Sequence, residues 1–87
     1  MYVFKRDKTE IPDYTEFEEE VKLHFADDYP CLGDKGVEEF IARKRQFVEE
    51  KYDEYKEMYE AGLIEAKDIW VRGVAETGNF MSMMYWA

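Results

Sequence analysis

The sequence contains very little of the residues from which crosslinks, metal centres and catalytic triads are built. It has one cysteine (Cys31), one histidine (His24) and one serine (Ser82) in 87 residues. A lone cysteine excludes a disulfide within the chain and a zinc site made of several cysteines. One serine and one histidine, far apart in sequence, form no evident triad. We therefore expect a protein that is not an enzyme and that has no cofactor and no metal.

Long apolar runs are also missing. The N-terminal stretch MYVFKRDKTE lacks the apolar segment of a secretory signal. No stretch approaches the roughly 20 apolar residues that span a bilayer. Together with the single cysteine, these absences predict a cytoplasmic protein without a membrane partner.

Positive charge is scarce. The chain has 12 Lys and Arg against 21 Asp and Glu, a net charge of −9. This balance disfavours direct binding to nucleic acid or to an anionic membrane. Three successive basic residues, Arg43 to Arg45, point in different directions on a helix and indicate a solvated face. An alternative use of the acidity is mimicry, in which rows of carboxylates imitate nucleic-acid phosphates and block a basic DNA- or RNA-binding protein.

What the chain does contain is enough apolar side chain to fold. Hydrophobic residues make up 46% and aromatic residues 17% of the sequence, too much for a disordered chain. The length predicts a single domain over residues 1–87. Residues 1–13, with an apolar Tyr2-Val3-Phe4 and a Pro12 that disfavours helix before it, are predicted as an extended N-terminal arm.

Hydrophobic periodicity predicts an all-α fold, a small three-helix bundle with helices at about 15–28, 37–61 and 64–76. Thr15 and Glu18 form a candidate capping box for the first helix. Gly62 is a candidate stop for the second. The inward faces are predicted to contain Phe17, Val21, His24 and Phe25; Val37, Phe40, Ile41, Phe47, Val48, Tyr52, Tyr55 and Tyr59; and Ala66, Ile69, Trp70, Gly73 and Val74.

The second predicted helix raises a question of length. About 25 helical residues extend roughly 37 Å, whereas a compact domain of this size is roughly 30 Å across. The helix therefore overhangs the domain unless the segment breaks into two. An overhanging helix with a tyrosine stripe needs a partner surface, and this favours a homodimer.

The ten C-terminal residues, GNFMSMMYWA, are uncharged. A break is predicted at Thr77-Gly78-Asn79, and the residues after it form a short fourth element. A helix capped by Asn79 places Phe80, Met83 and Met84 on one face, and a strand pairing with residues 2–4 is the alternative. The element closes either the core or an interface with a second copy. Candidate interface residues are Tyr52, Tyr55, Tyr59, Met83, Met84 and Trp86, because Tyr, Trp and Met are enriched at interfaces.

One group of residues offers a metal or catalytic alternative. His24 lies close in sequence to Asp27 and Asp28 at the end of the first helix, and Cys31 follows. A metal site needs converging ligands from more than one element. His24, Asp27 and Asp28 lie on one helix terminus, where a histidine complements the helix dipole, and this counts against a metal site. A small enzyme or metal protein using His24 and the nearby acids is kept as the second alternative function.

The run EFIARKRQFVEEKYDEYKEMYEAGLIEA resembles a family of small, all-helical, uncharacterised proteins encoded on conjugative transposons of gut anaerobes. The shared features are Phe40-Ile41 before a basic residue, Tyr55 seven residues before Gly62, and Glu65-Ala66 thereafter. Tyr29-Pro30 stands where that family tends to have His-Pro, and the alignment needs an insertion inside the second helix. The resemblance covers about a third of the chain. It implies a helical architecture only, since that family has no assigned activity to carry over. An accessory role on a mobile element is our own expectation.

These observations together predict a small acidic accessory protein that acts through protein–protein contacts. The partner is another protein or a second copy of the chain.

Overall fold

The computed structural model describes residues 10–86 and shows four helices, with no strand among those residues. The predicted all-α class is confirmed. In chain order the elements are α1 (Tyr14–Asp28), a 3-10 turn (Pro30–Leu32), α2 (Gly33–Arg43), α3 (Arg45–Glu60), one α-helical turn (Ala66–Asp68), a π-helical segment (Ile69–Gly73) and α4 (Val74–Trp86). The last three follow one another without a break and form the fourth helix.

Helix α1 begins one residue earlier than predicted and has a different cap. The Asp13 carboxylate accepts a hydrogen bond from the Glu16 amide at 2.8 Å, and the Glu16 carboxylate accepts one from the Asp13 amide at 3.1 Å. This is the capping box that the sequence placed on Thr15 and Glu18. That placement was wrong because Glu18 has other partners: it accepts hydrogen bonds from Tyr14 and from Arg45.

The second predicted helix is two helices. The helix is interrupted at Lys44, whose φ and ψ angles are −105° and 14°. Helix α2 begins at Gly33 rather than near Val37. Helix α3 has 16 residues, so it is about 24 Å long. The molecule measures 38 × 24 × 18 Å, and α3 fits within it. The predicted overhang is therefore absent.

The end of α3 confirms the stop predicted at Gly62. This residue has φ of +78°, a left-handed conformation that suits glycine. The amide of Leu63 donates to the Met58 carbonyl at 2.9 Å, and the amide of Gly62 donates to the Tyr59 carbonyl at 3.0 Å. These two bonds are a Schellman motif, which satisfies carbonyls left free at a helix end.

The predicted boundary between the third helix and the C-terminal element does not exist. The α-helix continues through Thr77, Gly78 and Asn79 to Trp86, which also excludes the strand alternative for this part of the tail. Two close contacts involve this part of the helix. The Thr77 hydroxyl donates to the Gly73 carbonyl at 2.7 Å, and the His24 ring of α1 lies where a side chain at Gly78 would begin.

The core lies where all four helices meet, and α1 packs most extensively on α4. The inward faces predicted from periodicity are largely confirmed, with His24 and Phe47 half-buried and Tyr59 exposed. The buried apolar residues are Phe17, Val21 and Phe25 of α1; Val37, Phe40 and Ile41 of α2; Val48, Tyr52 and Tyr55 of α3; and Ala66, Ile69, Trp70, Val74 and Met81 of the fourth helix.

The described part of the predicted N-terminal arm, residues 10–13, is non-helical and packs on the core. The Trp70 indole N–H donates to the Glu10 carbonyl at 2.6 Å, and the Tyr52 hydroxyl donates to the Pro12 carbonyl at 2.8 Å. The remainder of the arm, residues 1–9 with Tyr2, Val3 and Phe4, lies outside the described residues.

Candidate functional site

The fourth helix has one face that the other helices leave largely uncovered, and we call it the open face. It lines a shallow groove of about 410 Å³. The residues recur at spacings of three and four, so they lie in a stripe along one side of the helix. They are Arg72, Ala75, Glu76, Asn79, Phe80 and Met83.

Two apolar side chains give the open face its character. Met83 is 65% exposed and Phe80 is 41% exposed. One edge of Phe80 is covered by α3, since its ring lies 6.2 Å from the ring of Phe47. Large apolar groups exposed together on a small domain are typical of a contact surface. The open face therefore offers a protein partner an aromatic ring and an adaptable methionine side by side.

The single carboxylate on the open face is bound to residues of α3. The Lys51 ammonium lies 3.6 Å from one oxygen of Glu76, and the Tyr55 hydroxyl donates to the other at 2.8 Å. Lys51 also lies 4.9 Å from the centre of the Phe80 ring, a cation–π geometry. Lys51 lies 3.7 Å from Glu54 as well, so it offsets only part of the Glu76 charge.

Tyr55 responds electrostatically to the same contacts. Burial, then its hydrogen bond to Glu76 and the negative charge of Glu76, raise the pKa of Tyr55 from 10.0 to about 12. Each of these effects disfavours the phenolate. Tyr55 therefore stays neutral under ordinary conditions and acts as a hydrogen-bond donor that fixes the position of Glu76.

A second cavity, of about 250 Å³, lies between α1 and α2. Its rim is mainly charged, with Glu19 and Glu38 both within ion-pair distance of Lys22 at 3.4 and 3.7 Å. Charged groups already paired across a crevice offer little to an apolar partner. The open face is the better candidate for a contact.

The structure separates the six residues predicted as an interface. Tyr52 and Tyr55 are buried, with 8% and 2% exposure, and belong to the core. Tyr59 is 37% exposed at the far end of α3. Met83 is on the open face and Met84 is half-buried against the core; the Trp86 side chain lies outside the described part of the chain. Met83 alone of these lines the groove.

Sequence reasoning did not connect Arg72, Ala75 and Glu76 with the C-terminal tail. The third helix was predicted to end at Glu76, so these residues and Met83 were assigned to different elements. The missing signal is present in the spacing: Arg72, Glu76, Asn79 and Met83 are four, three and four residues apart, which places them on one side of an uninterrupted helix.

The described residues contain no constellation that points to metal binding or catalysis. Among the side chains that the structure describes, which do not include that of the predicted candidate Asp28, no three of His, Cys, Asp or Glu come together as metal ligands. Cys31 is exposed. The Ser82 hydroxyl is buried and has no hydrogen-bond partner, so no base contacts it as nucleophilic catalysis requires.

Within the described residues, none of the helices has the length and apolar character that crossing a membrane requires.

Comparison of the chain with protein-family models, with curated proteins and with solved structures gives no match.

Proposed function

We propose that this chain is a non-catalytic accessory protein that acts by binding another protein through the open face of the fourth helix. The observation that carries the proposal is the exposure of Met83 and Phe80 beside an uncharged stretch of helix. A monomeric domain gains nothing in stability from apolar side chains left in water, whereas a partner that covers them gains the free energy of their burial.

The distribution of charge supports the same surface. The outward side of α3 carries exposed carboxylates along its whole length, at Glu49, Glu50, Asp53, Glu54, Glu57 and Glu60. Interface centres are depleted in charged residues, and aromatic residues and methionine are enriched there. By these criteria the open face has the composition of a contact centre and the outer side of α3 does not.

The proposal places the protein in the cytoplasm, because its single cysteine is exposed and free and a reducing compartment keeps such a thiol reduced. It also keeps our expectation of an accessory role on a mobile element, although the resemblance of residues 39–66 implies a helical architecture only. The genes that flank the coding sequence are the direct check of that role, since conjugation or integration genes are expected beside it.

The binding function can be tested by photo-crosslinking in the native host. A benzophenone amino acid is introduced in place of Met83 and, as the control, in place of Leu63, which is 74% exposed on the turn after α3. We expect a covalent protein adduct from position 83 and none from position 63. Circular dichroism of both purified variants verifies that each is folded. Equal adduct yields at the two positions, or none at either, would contradict the proposal.

A further inference from the structure

We infer that the partner of the open face is a second copy of this chain, with the two α4 helices antiparallel across a two-fold axis. The inference rests on the proposed function and names the partner for the same surface. It follows from three features of the open face: its charge, its helical spacing and the match between its two ends.

Charge restricts where two copies can meet. Each copy has a net charge of −9, so two copies repel one another wherever unpaired carboxylates face each other. Residues 77–86 carry no charged side chain, and Lys51, which also pairs with Glu54, offsets part of the Glu76 charge. Arg72 adds one positive charge at the edge of the groove. A second copy can therefore approach along α4 with much less repulsion than along the outer side of α3.

The spacing of the open face is that of a helix–helix contact. Its residues occur at intervals of three and four from Arg72 to Met83, and this pattern forms the seam between paired helices. The stripe is about 16 Å long at 1.5 Å per residue. Arg72, Asn79, Phe80 and Met83 are exposed, and Ala75 and Glu76 are half-buried, so a helix from another molecule can lie beside the stripe.

The two ends of the stripe match each other in an antiparallel pairing. With the two-fold axis at the midpoint, between Thr77 and Gly78, the Asn79 amide of one copy faces the Glu76 carboxylate of the other. The alkyl part of Arg72 faces Met83. The two Phe80 side chains lie on one flank of the pair and the two small Ala75 side chains on the other. Each contact occurs twice, as a symmetric interface requires.

The expected dimer is weak. One pair of short helices is at or below the lower end of the roughly 1,200–2,000 Å² that stable interfaces bury, so we expect a dissociation constant in the micromolar range. The two net charges oppose association, and salt screens them over about 8 Å at physiological ionic strength. Dimerisation should therefore strengthen as salt is added. Capture of a basic partner by the acidic surface would weaken instead.

The first experiment measures the mass of the full-length protein by sedimentation equilibrium, over a range of protein concentrations and from roughly 50 to 500 mM salt. We expect a monomer–dimer equilibrium that tightens with salt. Asn79→Glu should raise the dissociation constant at least tenfold, since it places a carboxylate opposite Glu76 of the other copy in each half of the seam. The control, Leu63→Glu, makes the same charge change at an exposed site outside the stripe and should leave the constant within about twofold.

Several results would overturn the inference: a monomer at every concentration up to the high micromolar range, equal effects of the two variants, or association that weakens with salt. Met83→Arg, at another exposed position of the open face and with Leu63→Arg as its control, provides the same test if Asn79→Glu does not fold, because each new guanidinium faces Arg72 across the axis.

The second experiment tests the antiparallel register. Arg72→Cys and Met83→Cys are made separately in a Cys31→Ser background, which removes the single native thiol. After mild oxidation, an equal mixture of the two should yield more crosslinked dimer than either variant alone, because the two positions face each other only between copies. A higher yield from either variant alone would overturn this register.

The photo-crosslinking described above separates this inference from the proposed function. An adduct from position 83 with the mass of two chains supports both. An adduct containing a different protein, or a crosslink within one chain, overturns the second copy as partner, and in the former case the proposed function remains. Absence of any adduct contradicts the proposed function itself.

Discussion

Met81 and Met83 are the same residue type two positions apart on one helix, and their environments are opposite. Met81 is fully buried and Met83 is 65% exposed. Met81 lies on the side of α4 that packs on α1 together with Thr77 and Gly78, whereas Met83 lies on the open face. Composition along the tail is uniform, so the difference arises from the position of α1 against the helix. An uncharged, apolar helical segment can thus bury one side in the core while its other side stays exposed.

The largest expected effect distinguishes the two methionines directly. Met81→Ala should lower the free energy of unfolding by about 2–5 kcal/mol, because it leaves a cavity among fully packed side chains. Met83→Ala, its matched control, should change it by no more than about 0.5 kcal/mol under conditions where the protein is monomeric. Urea unfolding followed by circular dichroism measures both. Similar costs at the two positions would show that the open face is packed within the monomer.

The next effect tests how closely α1 approaches α4. A Cβ at Gly78 would lie 2.3 Å from the His24 ring, so Gly78→Ala forces the ring or the helix to move. We expect a loss of about 1–3 kcal/mol, typical of overpacking. Gly36→Ala is the control: its Cβ meets only the half-buried Leu32 side chain, and the gain in helix propensity, up to about 1 kcal/mol, favours it. A stable Gly78→Ala protein would contradict the close packing.

A smaller effect concerns Tyr55, which links the core to the open face. Tyr55→Phe should cost about 0.5–1.5 kcal/mol at neutral pH, since the hydrogen bond to Glu76 is lost. The tyrosine also predicts a pH dependence. Because folding raises its pKa from 10.0 to about 12, its contribution is complete below about pH 10 and is lost as the pH rises towards 12.

Urea midpoints measured across this alkaline range check the sign. We expect the wild-type protein to lose stability as the pH rises, and Tyr55→Phe to lose less. Burial also raises the pKa of Tyr52, so part of the dependence should remain in the variant. An unchanged pH dependence in Tyr55→Phe would show that the phenol of Tyr55 does not sense Glu76.

The smallest expected effect is that of Lys51→Met. Lys51 contacts Glu54, Glu76 and the Phe80 ring, with only 18% of its side chain exposed. Loss of the charge should cost about 0.2–1 kcal/mol at low salt and less at high salt. Lys67→Met removes an ion pair whose two side chains are 67% and 73% exposed, and it should have no measurable effect. A larger cost for Lys67→Met than for Lys51→Met would contradict our expectation that the contacts of Lys51 contribute more to stability.

The open face shows how far sequence reasoning reached towards the site. Met83 was predicted as a contact residue from its chemistry and its position in the uncharged tail, and it is exposed on the open face. Tyr52 and Tyr55 were selected for the same chemical reason, yet they are buried. Residue type alone does not separate a core tyrosine from a surface one, because the amphipathic side chain suits both places. Only the packing of α1 and of residues 10–13 on α3 decides it.

The sequence by itself determined the helical class, the extent of α1 to within a residue, the stop at Gly62 and the inward side of the segment from Ala66 to Val74. These features depend on short-range physics: apolar spacing, and a glycine that adopts a positive φ where α3 ends.

The tertiary structure alone decided that the chain breaks at Lys44 and does not break at Gly78. Neither outcome follows local preference, since Lys44 is a good helix former and glycine a poor one. The break allows both α2 and α3 to pack on α1. The continuous helix at Gly78 lets α1 approach closely enough to bury Met81, and so it leaves Met83 facing outward. The free energy of burying side chains on α1 exceeds the cost of about 1 kcal/mol that one glycine imposes on a helix.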